Sequence, residues 1–253
     1  MTALLKRWAV DPPLVAAVGM LSAFGVAMIY SAGVVVRPSE VVQNAWLRQA
    51  LWFAISLAVF TVLARVRLRW FEWAAIPAYV LSLVLLAATL VVGTGAGTAA
   101  GIESWIAIGP IRFQPSEIAK IATILALARL LANREEGPQN LQDLLGPGMV
   151  VAAPLGLVML QPDLGTAMAF VGILFAMLFW AGTPVGLLLL LASPVASVLI
   201  SFDTRVWSGY MVCLVLALYL YRYRLFLYES VAVIVANVAA GTVARPMWDS
   251  LQS

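Results

Sequence analysis

Apolar runs long enough to cross a hydrocarbon core of ~30 Å recur from one end of this sequence to the other, parted by short segments that hold most of the charge. A chain patterned in this way has a bilayer for its solvent. Hydrophobic residues fill 63% of 253 positions, charged residues 11%, and the mean hydropathy is +0.99, more than a water-soluble core of this length needs. The runs predict an all-α polytopic membrane protein with roughly nine spans, at about 14–33, 49–64, 71–92, 116–132, 144–160, 162–181, 185–201, 207–221 and 225–244. Together they make one membrane domain, residues 1–253. The first run follows Lys6 and Arg7, lacks a small-residue cleavage site and is succeeded by further spans, so it is expected to stay as an anchor.

Charge sets the expected orientation. With the N-terminus in the cytoplasm, Lys6, Arg7, Arg65, Arg67, Arg69, Arg129, Arg134, Arg222 and Arg224 fall on the inner side. Fewer cations, Arg37, Arg48, Arg112, Lys120, Arg205 and Arg245, fall on the outer side, as the positive-inside rule asks. The pI near 9.2 does not point to nucleic acid, because the arginines are scattered at the ends of apolar runs and not gathered on one face. Cys213 stands alone inside an apolar run and histidine is absent, which makes a disulfide framework, a thiolate metal site, zinc and haem poor fits. Trp46, Trp52, Trp70, Trp73, Trp180, Trp207, Tyr219, Tyr221 and Tyr223 cluster near span ends and read as an interfacial aromatic belt. Trp73 and Tyr210 have a lipid-substrate contact as their alternative.

The longest outer segment runs from Gly93 to Pro115, with glycines at 93, 95, 97, 101 and 109 and with Trp105 and Phe113 as apolar handles. A flexible loop of this length between packed helices ordinarily binds or covers something, the alternative being a disordered tether.

Two echoing segments carry the chemistry: Gln114-Pro115-Ser116-Glu117-Ile118-Ala119-Lys120 and Gln161-Pro162-Asp163-Leu164-Gly165-Thr166. Each is expected to begin a span at the outer face. Proline suits the first helical turn, where its missing N–H has no intrahelical partner, and the preceding glutamine can cap. Glu117 and Asp163 then fall in first turns, near the positive end of the helix dipole. Lys120, three residues after Glu117, shares its face and can pair with it. If the second start packs beside the first, Asp163 completes a carboxylate, lysine, carboxylate cluster, and charges at such depth need partners or water. The cluster suits a lipid-linked diphosphate, with lysine neutralising phosphate and the carboxylates holding a bridging divalent cation. The bland alternative is two favourable helix-start acids and a snorkelling lysine. Arg48, which opens a span, admits a similar choice between anchor and ligand.

Trp105, then Gln114-Pro115-Ser116-Glu117 with Lys120, then Pro154 leading into Gln161-Pro162-Asp163-Leu164-Gly165-Thr166, resemble the signatures of the SEDS family (shape, elongation, division, sporulation). Arg48-Gln49 ahead of the second span is also similar to the family. The resemblance covers roughly the first 180 residues and favours the RodA branch over FtsW. It implies a peptidoglycan glycosyltransferase of the bacterial inner membrane that polymerises lipid II, releases undecaprenyl diphosphate, uses a divalent cation (Mg or Mn) and works beside a class B penicillin-binding protein, a transpeptidase. Carried onto matching positions, it implies an outward-facing cavity lined by Glu117, Lys120 and Asp163, with Gln114, Ser116, Gln161, Trp105 and Arg48 as companions and with Asp163 and Glu117 as candidate metal ligands.

The family's catalytic aspartate lies in a large outer loop after the seventh span. Here Pro184 to Arg245 holds three spans, the loop is expected to begin at Arg245-Pro246-Met247-Trp248-Asp249, and the sequence ends at Ser253. Asp249 comes too early to match that aspartate. The reading is therefore of a C-terminally shortened polymerase, inactive alone for want of its proton acceptor. Two rivals stand beside it. A flippase or transporter of lipid-linked precursors also uses broken helices and ionisable residues, though its site tends toward the midplane. A non-catalytic scaffold would bind the transpeptidase through its helices.

Overall fold

The computed structural model describes residues 12–33, 44–95, 104–109, 111–134, 136–221 and 227–252. Lys6, Arg7, Arg37, Gly97, Gly101, Arg222, Tyr223 and Arg224 lie outside them, and of Arg245 to Asp249 only the backbone is described. Nine α-helices follow one another among the described residues: α1 (Pro12–Gly33), α2 (Ala45–Leu63), α3 (Leu68–Val92), α4 (Pro115–Ala132), α5 (Leu145–Met159), α6 (Leu164–Trp180), α7 (Val185–Ile200), α8 (Thr204–Tyr221) and α9 (Leu227–Gln252). A 3-10 turn, Gln142–Leu144, leads into α5. A hairpin of β1 (Ile106–Ile108) and β2 (Ile111–Phe113) stands between α3 and α4.

Every expected span has its helix, including the three after Pro184. The last differs. It was expected to end near 244 and yield to a loop at Arg245, yet α9 continues to Gln252. Proline is a weak stop signal in such helices, where packing and neighbouring groups re-satisfy the freed backbone. Pro77, Pro154 and Pro194 also lie inside helices of this chain. By length and composition Pro12–Gly33, Ala45–Leu63, Leu68–Val92, Gln142–Met159 and Leu227–Ala244 can each cross a membrane, while α6, α7 and α8 are apolar but shorter.

The chain divides into two compact units, Met1–Leu68 and Arg69–Ser253. In the first, α1 packs on α2, and the Tyr30 ring meets Trp46 edge-on with centroids 5.8 Å apart. Neither helix buries a residue, as expected of apolar helices whose surface is turned to lipid or to further protein.

The second unit has two apolar centres. One gathers Leu86 of α3, Ala119 and Leu127 of α4, Val151 and Val158 of α5, and Ala167 and Phe170 of α6. Tyr79 adds a bond from α3 to the Val150 carbonyl of α5 (2.8 Å), and Arg129 donates from α4 to the Glu72 carbonyl of α3 (3.0 Å). Helices α4, α5 and α6 pack on one another, and the residues that precede α4 and α6, Gln114 and Asp163, are hydrogen-bonded, so the two helices begin side by side.

The other centre joins Leu187, Leu188 and Leu190 of α7 to Leu214 and Leu218 of α8 and Val233 of α9. A polar knot runs through these three helices. Fully buried Asn237 donates from Nδ2 to Ser193 Oγ (2.7 Å) and to the Val233 carbonyl (2.9 Å). The Tyr210 hydroxyl donates toward Asn237 Oδ1 (3.0 Å) and the Ser193 carbonyl (2.8 Å). Ser197 Oγ donates to the Asn237 carbonyl (2.7 Å) and accepts from Trp207 Nε1 (2.8 Å). Gly241 permits the close approach, since a Cβ there would stand 2.5 Å from Trp207 Nε1. Trp207, in the first turn of α8, thus gives its indole N–H to the helix packing, and the Tyr210 hydroxyl bonds to protein. An indole or phenol near a span end satisfies its polar atom inward when a neighbouring helix offers an acceptor.

Candidate functional site

The two helix starts follow the same dipeptide and differ in construction. At the first, Gln114 occupies the cap position with extended backbone (φ −104°, ψ 110°), Pro115 begins α4 and Glu117 lies in the first turn, as expected. The Gln114 side chain makes no capping bond. Its Nε2 crosses to Asp163 Oδ2 at 3.2 Å.

At the second, Pro162 lies ahead of the helix, and Asp163, expected in the first turn, is itself the cap of α6. Its Oδ1 accepts the Thr166 N–H (3.0 Å), while Oδ2 accepts the Thr166 hydroxyl (2.7 Å) together with the Gln114 amide. Aspartate is a strong N-cap because its carboxylate satisfies one of the orphan N–H groups of the first turn, and this shifts the start two residues past the proline. Gln161 does not cap. Only 4% exposed, its Nε2 donates to the Leu86 carbonyl (3.1 Å) and Thr89 Oγ1 (2.9 Å), pinning the α5–α6 turn to α3. Its amide protons are thus engaged in helix packing.

One turn into α4, Lys120 Nζ donates to Glu117 Oε1 at 2.8 Å; the Glu117 side chain is 59% exposed and that of Lys120 25%. Ser116 is buried, with a hydroxyl that has no partner among the described residues. The structure therefore brings together Gln114, Asp163 and Thr166 as a clasp between two helix starts, and Glu117 with Lys120 as a pair beside it. Among the described residues no hydrogen bond or ion pair links Asp163 to Glu117 or Lys120, and no group of three acidic, histidine or cysteine side chains is poised for a metal.

Trp105 sits at the foot of the hairpin. Its backbone exchanges bonds with Thr94 (2.7 and 3.2 Å), closing the loop back onto the end of α3. Ile106 pairs with Phe113, and Gly109, at φ 61°, supplies the left-handed residue that a tight hairpin needs. The described part of the 93–115 segment thus forms a hairpin, whose second strand runs straight into Gln114. Arg48 lies in the first turn of α2, within the N-terminal unit.

Sequence reasoning quoted Thr166 without giving it a role. The signal was the Asp163-to-Thr166 spacing, that of a cap and the N–H it accepts. It also missed the Ser193, Ser197 and Asn237 knot, for which polar residues inside apolar runs were the available sign.

Residues 13–232 match the family of cell cycle proteins that comprises FtsW, RodA and SpoVE. The probable peptidoglycan glycosyltransferase FtsW of Trichlorobacter lovleyi is 36% identical over 180 residues, 68% of this chain and 46% of that protein. The probable peptidoglycan glycosyltransferase FtsW of Mycobacterium tuberculosis is 32% identical over 192 residues, 74% of this chain and 36% of that protein. The crystal structure of the rod shape determining protein RodA of Thermus thermophilus superposes with a TM-score of 0.60 at 27% identity, covering 91% of this chain and 81% of that one. A chain from a peptidoglycan synthase complex, described as coordinating polymerization and crosslinking, superposes with a TM-score of 0.59 at 32% identity, covering 68% of this chain and 48% of that one. The chain spans less than half the length of these two curated relatives.

Proposed function

The chain belongs to the FtsW, RodA and SpoVE family of cell cycle proteins, the SEDS family, and on that premise we propose that its clasped helix starts hold the diphosphate of lipid II during polymerisation of glycan strands. It is a multi-pass membrane protein with the all-α fold of that family. In this reading it lies in the bacterial inner membrane with its N-terminus in the cytoplasm and with the starts of α4 and α6 facing the periplasm.

Glycosyl transfer forms a bond between the donor's anomeric carbon and the oxygen of an acceptor hydroxyl as the bond from that carbon to the phosphate oxygen breaks; undecaprenyl diphosphate leaves with the bonding pair, and the hydroxyl proton passes to a general base. Negative charge grows on the departing diphosphate, so a fixed cation beside it lowers the barrier. Lys120 supplies that charge and the N-terminal end of α4 adds its dipole. The observation that carries the reading is the Gln114–Asp163 bond, which ties two acid-bearing helix starts 49 residues apart while the Glu117–Lys120 pair stays within reach of solvent.

No group of three candidate metal ligands stands together among the described residues, so a hard divalent cation would be held by few protein oxygens here. Asp163 already accepts three hydrogen bonds and Glu117 Oε1 accepts from Lys120, which leaves the second oxygen of Glu117 as the one that would hold the ion, and magnesium commonly takes one or two carboxylates. When bound, it would neutralise diphosphate charge.

Two finer assignments accompany the proposal. We place the chain in the elongation branch, supported by the superposition on RodA over 91% of its length. As its partner we propose a class B penicillin-binding transpeptidase, supported by the likeness to a synthase complex that couples polymerization with crosslinking. Rescue of RodA-depleted cells, and not of FtsW-depleted cells, by the gene carrying this sequence tests the first.

The core proposal is tested by binding of lipid II to the chain in lipid nanodiscs. Lys120→Ala is expected to weaken binding about tenfold, the equivalent of ~1.4 kcal/mol. Unchanged affinity would sink it. Production of glycan strands against translocation of intact lipid II separates a polymerase from a flippase.

A further inference from the structure

Four buried hydroxyls among the described residues have no hydrogen-bond partner: Ser104, Ser116, Thr123 and Thr183. Two of them lie on α4 with Lys120 between. At that spacing Ser116, Lys120 and Thr123 share one stripe of the helix, spread over ~10 Å of its length. Ser116 is 1% exposed and Thr123 0%, so the stripe faces the interior of the bundle.

Thr123 departs from the habit of its own chain. Thr61, Ser82, Thr89, Ser193, Ser201 and Ser208 each bond back to a carbonyl three or four residues earlier, the usual way for a hydroxyl to be satisfied inside a membrane helix. Ser116 has no such carbonyl, because it stands in the first turn. Thr123 has carbonyls at 119 and 120 behind it and uses neither. Its hydroxyl is therefore left without a backbone partner. Lys120 has three N–H donors and spends one on Glu117. A buried hydroxyl without a partner is costly, and a lysine at membrane depth needs more than one.

We propose that Ser116, Lys120 and Thr123 line an internal hydration site, in which ordered water bridges the two hydroxyls to the inner side of the lysine ammonium. The chemistry is complementary: an ammonium only donates, a hydroxyl donates and accepts, and a buried water needs two to four polar partners. This site hydrates Lys120 whether or not the lysine ever meets a diphosphate, so it stands independently of the proposed activity.

Thr123→Val tests it by sign, because valine keeps the shape and removes only the hydroxyl. A dry orphan hydroxyl is a burden, and its removal would raise the melting temperature. A hydroxyl that holds water is a partner, and its removal should lower the melting temperature by several degrees, with Thr123→Ser restoring it. Melting of the full chain in nanodiscs, followed by tryptophan fluorescence, reads this directly; a rise or no change in Thr123→Val overturns the proposal. Should that variant not fold, Thr123→Cys combined with Cys213→Ala leaves one cysteine for silver ion, a probe near the size of water. Reaction with silver but not with a bulky charged methanethiosulfonate is expected, while Ala126→Cys in the same background stays inert. A silent cysteine at 123, or equal reaction at 126, overturns it.

Discussion

The polar knot of α7 to α9 and the clasp between α4 and α6 both place hydrogen-bonding side chains in apolar helices, and they spend them in opposite ways. In the knot every polar side-chain atom named has a protein partner, and the residues involved are neutral. In and beside the clasp the groups are charged, Glu117 is largely exposed, and Lys120 keeps donors in reserve. A closed neutral network contributes helix association, whereas an open charged one costs stability unless something beyond the chain completes it. The difference separates glue from site more sharply than polarity alone.

Asn237→Ala should do the most damage to stability. It removes three side-chain bonds at once, leaving Tyr210 only its bond to the Ser193 carbonyl and Ser193 Oγ only its bond to the Leu190 carbonyl. With membrane hydrogen bonds worth ~0.6 to ~1.7 kcal/mol each, the loss should total roughly 2–4 kcal/mol, seen as a lower melting temperature with lipid II affinity unchanged in the fraction that remains folded. If Asn237→Ala instead impaired binding at full stability, the knot would have to be counted as part of the site.

Asp163→Ala comes next. It deletes the cap of α6 and the bond to Gln114, which should cost about 1–2 kcal/mol. Lipid II binding should fall as well. Asp163→Asn separates the two roles, because an asparagine caps nearly as well as an aspartate but carries no charge. Stability should recover and binding should not. Recovery of both would reduce Asp163 to a helix cap.

Much of this was legible in the sequence, for a physical reason: span positions follow from apolar run length, and helix starts from proline and acidic residues, both local signals. Glu117 and Lys120 pair as their spacing requires. What failed was longer in range. Gln161 and Gln114 precede prolines in the same way, yet one is buried against α3 and the other reaches Asp163, because the destination of a glutamine side chain depends on which helix lies beside it. The pairing of Ile106–Ile108 with Ile111–Phe113 was not read from the sequence, where Gly109, which takes φ 61°, looked like one loop glycine among several. The continuation of α9 past Pro246 was missed because the outer loop was expected to begin at Arg245, whereas a proline within such a helix does not end it.

Glu117→Gln is the smallest change and the finest probe of the contrast between closed and open networks. The pair it breaks is exposed on the carboxylate side, so its contribution to stability is ~0–1 kcal/mol and the melting temperature should barely move. Its effect on ligand depends on what completes the site. With divalent cations chelated, Lys120 loses its internal counter-charge and should meet an anionic headgroup at least as strongly as before. With magnesium present, removal of the Glu117 carboxylate should weaken lipid II binding, since Glu117 is the residue that would hold the ion. Titrations of wild type and Glu117→Gln with lipid II, in magnesium and in chelator, therefore should cross in sign. An equal loss in both conditions would mean that Glu117 acts only by positioning Lys120. No loss in either would place Glu117 with the exposed charges that merely favour a helix start.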